Sequence, residues 1–152
     1  MNKADIPFLS ATALSALIER REVSSVEAVE AYLERIGRVD SKLNSYITVC
    51  RDEALQAARE AEQAIIRDNY LGPMHGIPVA VKDQLWSKGV RSTGGSRILS
   101  DFIPDEDATA LANLKRAGAI LLGKHNMTEF ATGFSHRYRY PRNPWNLDLC
   151  EC

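Results

Sequence analysis

Lys82 closes the segment GPMHGIPVAVKD directly behind the apolar run 77–81, and its setting could support proton transfer. Low dielectric disfavours a charged ammonium and can lower a lysine's pKa towards neutrality, which makes the amine a usable base. Local pattern alone favours a plainer reading, in which the lysine reaches from a strand end to water or pairs with the adjacent Asp83. Further on, Ser92, Thr93 and Ser96 in RSTGGS supply hydroxyls beside glycines, superficially the make-up of a nucleophile loop. A usable nucleophile also needs a base and oxyanion donors in register. His75, in the tight GPMHG loop, reads as loop packing before pocket contact, and His125 stands just ahead of an N-cap. His136 falls in HRYRY, 136–140, a basic aromatic run that could stack on nucleic acid but fits a loop near a substrate mouth better. Cys50, Cys150 and Cys152 are too few and too unevenly placed for a disulfide framework or a four-ligand zinc site, so no metal is implied.

These side chains need elements to hold them. Leu14, Leu17 and Ile18 form one apolar helical stripe. Ser24 opens a second helix with Glu27 as its capping-box partner, and Val26, Val29, Leu33 and Ile36 recur on one face until a predicted stop near Gly37. The segment YITVC, 46–50, has the β-branched and aromatic content of a short strand. Ala54, Ala58, Ala61 and Ile65 make a third amphipathic helix, with Glu53, Arg59, Glu60, Glu62 and Arg67 on its solvated side.

The character changes at Leu71. Gly72, Pro73 and Gly76 lead into a buried strand over 77–81, whose early Pro78 is tolerable at a strand start or edge. A glycine-rich loop follows, then a helix from about Asp107 to Ala117 with Leu111 and Leu114 inward and Gly118 as its C-cap. A second buried strand is predicted over 119–122. Asn126 is predicted to cap one more helix with Glu129 as partner, a reading preferred over the formal glycosylation acceptor 126–128.

Strand, helix, strand, helix, with continuous apolar strands, predicts an α/β fold with an at least partly parallel sheet and the N-terminal helices over it. The whole of 1–152 reads as a single partial domain: a helical segment 1–70, an α/β segment 71–149 with the lysine strand, and a divergent tail 150–152. Two or three strands leave open edges, through which such a chain could self-associate.

Composition bounds the partners. Lys and Arg total 19 against 20 for Asp and Glu, a net charge of -1, so no global field favours nucleic acid or an anionic membrane. With no apolar run of signal-peptide or membrane-spanning length, the sequence reads as that of a cytoplasmic protein. Its 45% hydrophobic content is enough for a sizeable core.

Several segments, in order, resemble the amidase-signature family: VSSVEAVEAYLERI, KLNSYITV, GPMHGIPVAVKD, RSTGGSRIL, DATALANLKRAGAILLGKHNMTEFA and RNPWN. The resemblance implies a mixed sheet flanked by helices, of which this chain would hold an N-terminal, incomplete part. It implies hydrolysis of a small-molecule carboxamide by a Ser, bridging Ser and Lys triad, without metal or organic cofactor. Lys82 matches the lysine and is the one catalytic residue carried over. The two serines belong to a Gly- and Ser-rich loop that in the family follows the RNPWN landmark, so the polypeptide is expected to be inactive alone. The family places the TGGS stretch in a structural region, which gives Ser96 turn and capping duties. One departure stands out: only Pro141 separates Tyr140 from Arg142, where the family has a glycine and one further residue, so a contracted loop is expected.

Three readings follow from these residues. The chain is a fragment of an amidase, a non-catalytic binding or regulatory module derived from one, or part of the amidase subunit of a tRNA-dependent amidotransferase. A defined oligomer in size-exclusion chromatography would favour the module over the fragment.

Overall fold

Ser24 and Glu27 form the reciprocal cap that their spacing predicts: Ser24 Oγ accepts from the Glu27 N–H at 3.1 Å, and Glu27 Oε2 accepts from the Ser24 N–H at 2.8 Å. In this computed structural model, which describes residues 2–132 and 138–150, that box starts α2, Ser25–Leu43. It is preceded by a 3-10 helix, Lys3–Phe8, and by α1, Ala11–Glu19, capped by Ser10 Oγ on the Ala13 N–H. Gly37 does not end α2, contrary to the sequence expectation. A helical glycine costs only about 1 kcal/mol relative to alanine, and good helix formers on both sides carry the helix on. It stops at Asn44, which takes the left-handed conformation at φ 55° and donates to the Asp40 carbonyl.

β1, Tyr46–Val49, then leads into α3, Arg51–Ile66, which buries Ala54, Ala58, Ala61 and Ile65, the stripe read from the sequence. β2 is Pro78–Lys82, α4 is Thr109–Arg116 and β3 is Ile120–His125. The three strands lie in the order β1-β3-β2. β1 runs antiparallel to β3, with Tyr46 opposite His125 and Val49 opposite Gly123. The bonds from Ile120 N–H to Ile77 O and from Asp83 N–H to His125 O ascend together, so β2 runs parallel to β3. The sheet is therefore small and mixed, in an α/β fold with flanking helices as expected. A hairpin of β4, Arg142–Asn143, and β5, Asn146–Cys150, adds a pairing that no sequence expectation covered. No helix among the described residues is long and apolar enough to cross a membrane.

The chain divides into two compact units. The first comprises Met1–Gly37, Cys50–Val79 and Asn113–Leu122; the second comprises Arg38–Val49, Ala80–Ala112 and Gly123–Cys152. The first unit has two apolar clusters. One joins Leu14 and Ile18 of α1 to Ala28, Ala31, Ile65 and Ile77. The other sets Val29 and Leu33, on another face of α2, against the α3 alanines and Ile120 and Leu122 of β3.

His75 is buried in this unit, stacked on Tyr70 with ring centroids 5.8 Å apart. Its Nδ1 accepts the Leu71 N–H at 3.0 Å, which gives the loop-packing role expected of it. Gly118 makes room for the ring: a Cβ there would stand 2.7 Å from its Cδ2, at a φ of +89° that suits glycine. Burial holds the His75 pKa below its usual value, and burial does the same at His125 against an opposing contribution from Asp40. A histidine with a depressed folded pKa stabilises fully above the unfolded value of about 6.5 and less as pH falls below it. Thermal melts are accordingly expected to shift to lower temperature between pH 7 and pH 5.5. The shift should be smaller in His75→Gln, and an equal shift in that variant would exclude His75 as a contributor.

Candidate active site

The second unit carries Lys82, at the C-terminal end of β2. Strand alternation settles the local question the sequence posed: Val81 is buried, Lys82 exposed and Asp83 fully buried. Asp83 faces away from Lys82 and does not pair with it. Among the described residues Lys82 has no ion-pair partner. The apolar run shields Val81, while the lysine side chain is exposed.

Asp83 instead organises a buried polar network. Its Oδ2 accepts the Thr93 N–H at 2.8 Å and the Thr93 hydroxyl. Its Oδ1 lies 3.8 Å from the ammonium of Lys124, and both side chains are 0% exposed. Lys124 Nζ donates to Ser92 Oγ at 2.7 Å and to the Leu85 carbonyl, which also accepts the Ser87 hydroxyl. Such a charge pair is tolerable in the interior because polar partners surround it. Ser92 passes its own proton to the Val90 carbonyl. The network thus ties the end of β2 to the 92–96 loop and to β3.

Ser96 has the structural duty expected of it. Its hydroxyl donates to Glu129 Oε1 and accepts the Ile98 N–H at 3.1 Å, so it braces its own turn against the 129–131 turn. Gly95 makes the contact possible, since a Cβ at its φ of +71° would stand 2.7 Å from the Met127 carbonyl. The helix predicted after Asn126 is only a 3-10 turn, Glu129–Ala131, with Phe130 and Ala131 at positive φ. The residues meant to cap it are engaged elsewhere. Glu129 is held by Ser96, and Asn126 Nδ2 donates to the Asn44 and Arg139 carbonyls at 2.9 and 2.7 Å. His125 packs edge-on to Tyr46 at 4.8 Å. His136 and the first part of HRYRY lie outside the described residues, as do Glu151 and Cys152. Among the described residues no group of three or more His, Cys, Asp or Glu side chains gathers as a metal site.

An exposed lysine at a strand end, next in sequence to a carboxylate held in a buried network, can present an amine to a substrate. Residues 27–152 match the pattern of the family described as Amidase. The chain belongs to the amidase family. It is 45% identical over 147 residues to a glutamyl-tRNA(Gln) amidotransferase subunit of Moorella thermoacetica, covering 95% of this chain and 30% of that protein. To the corresponding subunit of Geobacter metallireducens it is 49% identical over 134 residues, covering 86% of this chain and 27% of that protein. Among solved structures it resembles the native peptide amidase of Stenotrophomonas maltophilia, with a TM-score of 0.87, 32% identity, and coverage of 93% of this chain and 31% of that one. It also resembles a fatty acid amide hydrolase, with a TM-score of 0.83, 27% identity, and coverage of 95% and 26%. The chain thus spans about 30% of the length of such amidase relatives.

Sequence reading singled out Lys82 and did not join Lys124, Asp83, Ser92 and Thr93 as a set. One signal was available. Lys124 continues the apolar strand AILLG at an inward position, and a lysine there demands a buried partner.

Proposed function

We propose that the chain is the lysine-bearing part of an amide hydrolase in which Lys82 is the base of a Ser, bridging Ser and Lys triad. The observation that carries this reading is the placement of Lys82, exposed at the end of a parallel strand, with its neighbouring carboxylate turned inward. In that chemistry the amine takes a proton through the bridging serine while the second serine attacks the amide carbonyl. Backbone N–H groups stabilise the tetrahedral oxyanion, the amine departs, and water releases the acid from the acyl-enzyme. Lys82 alone has no hydroxyl to activate. No Gly- and Ser-rich stretch follows RNPWN within these 152 residues, so the purified 152-residue polypeptide is expected to release no ammonia from simple primary carboxamides. Turnover that vanishes in Lys82→Ala would overturn that expectation. Reading the coding DNA past Leu149 in three frames is expected to reveal the serine loop. A longer protein that carries the loop and keeps full activity as Lys82→Ala would overturn the role given to Lys82.

The identities favour a finer reading of the parent as the amidase subunit of a tRNA-dependent amidotransferase. They reach 45% and 49% with the amidotransferase subunits, against 32% and 27% with the peptide amidase and the fatty acid amide hydrolase. A parent that hydrolyses carboxamides fully as a lone chain goes against this reading. One that needs partner subunits supports it.

A further inference from the structure

Among the described residues Lys124 is the largest fully buried side chain, and lysine is among the residue types least often enclosed. Its ammonium lies between the Leu85 carbonyl, Ser92 Oγ and the Asp83 carboxylate. Two of these groups flank Lys82 in sequence: Asp83 is the next residue, and Leu85 receives a turn bond with the Lys82 carbonyl as acceptor of its N–H at 2.9 Å. Asp83 Oδ1 has no hydrogen-bond partner among the described residues, so the charge of Lys124 is what balances that oxygen. We propose that Lys124 is a positioning residue for Lys82. By neutralising Asp83 inside the protein and fastening the turn after β2, it keeps that carboxylate off the Lys82 amine.

This inference rests on the reading of Lys82 as the proton acceptor in amide hydrolysis. Without the ammonium, Asp83 is an uncompensated buried anion, and its escape to water brings it alongside Lys82. A carboxylate there holds the Lys82 amine in its ammonium form and slows any reaction that needs the free amine.

The test is competitive acylation of the whole chain with an N-hydroxysuccinimide acetate at pH 8, read by peptide mass spectrometry. Labelling of Lys82 is normalised to the exposed Lys42 and Lys88. In Lys124→Met, relative labelling of Lys82 is expected to fall on the order of threefold, as for one unscreened charge at the protein surface. Lys124→Arg, and the double variant Lys124→Met with Asp83→Asn, are expected to restore it. A role in stability alone lowers the melting temperature without moving the labelling ratio of a folded protein. Unchanged labelling in folded Lys124→Met therefore overturns the proposal. Should that variant fail to fold, Lys124→Gln keeps a donor towards Leu85 and Ser92 without the charge, and the same fall is expected. If both single variants fail to fold, the pair serves folding rather than the Lys82 amine and the proposal is overturned. Amide turnover does not enter the measurement, so failure of the hydrolase reading and failure of this one are separate results.

Discussion

Asp83→Ala is expected to destabilise the chain by about 3–5 kcal/mol, the range for removing one partner of a buried ion pair. The reason is what stays behind. Lys124 is 0% exposed and is left in the interior, near the end of β3, without its carboxylate. The Thr93 N–H and hydroxyl lose their acceptor at the same time. An orphaned buried donor carries a desolvation penalty of about 1–3 kcal/mol, which places the loss towards the upper end of the range of about 3–5 kcal/mol. Asp83→Asn keeps an oxygen for Thr93 and loses only the charge balance, so it should fall between wild type and alanine. Urea denaturation checks the order, and an alanine variant within about 1 kcal/mol of wild type would show that water takes over the network. Replacing both charges by Asn and Met should recover much of the loss, since neutral pairs of similar volume are often tolerated where half a pair is not.

What was legible in the sequence was what neighbouring residues decide among themselves. The Ser24 and Glu27 cap, the α3 alanine stripe and the position of Lys82 at a strand end all follow from spacing within a few residues. Gly37 misled because its cost is small beside the propagation of a helix that both flanks favour. β3 has its expected end at Leu122, set by the apolar run 119–122. It runs on to His125 because Lys124 finds Asp83, Leu85 and Ser92, between 32 and 41 residues away in sequence, and periodicity cannot see partners at that range. The same distance hides the competitor at Glu129, where the Ser96 hydroxyl takes the carboxylate that a capping box needs. The pairing of Lys82 with Asp83 was plausible in one dimension and fails in three. Adjacent residues on a strand point to opposite faces.

Leu33→Ala is expected to cost about 2–5 kcal/mol, towards the upper end of that range, and the argument lies in its neighbours. Leu33 is 1% exposed on α2 and packs in a cluster with Ala54, Ala58 and Ala61. Alanines let α3 approach α2 closely, but they have no rotamers with which to refill a hole. Of the other members, Val29 lies on α2 itself, and Ile120 and Leu122 belong to β3, whose backbone is held on both sides by β1 and β2. A site lined largely by alanines and by a central strand keeps much of its cavity, and the penalty grows with the cavity that remains. At about 2–4 °C per kcal/mol for a chain of this size, the melting temperature should fall by roughly 4–20 °C. Ile66→Ala, on the 53% exposed end of α3, removes as many carbons from a half-solvated position and should cost well under half as much. Comparable losses in the two variants would mean that α2 and α3 separate enough to close the space, and that their packing is looser than the alanine face implies.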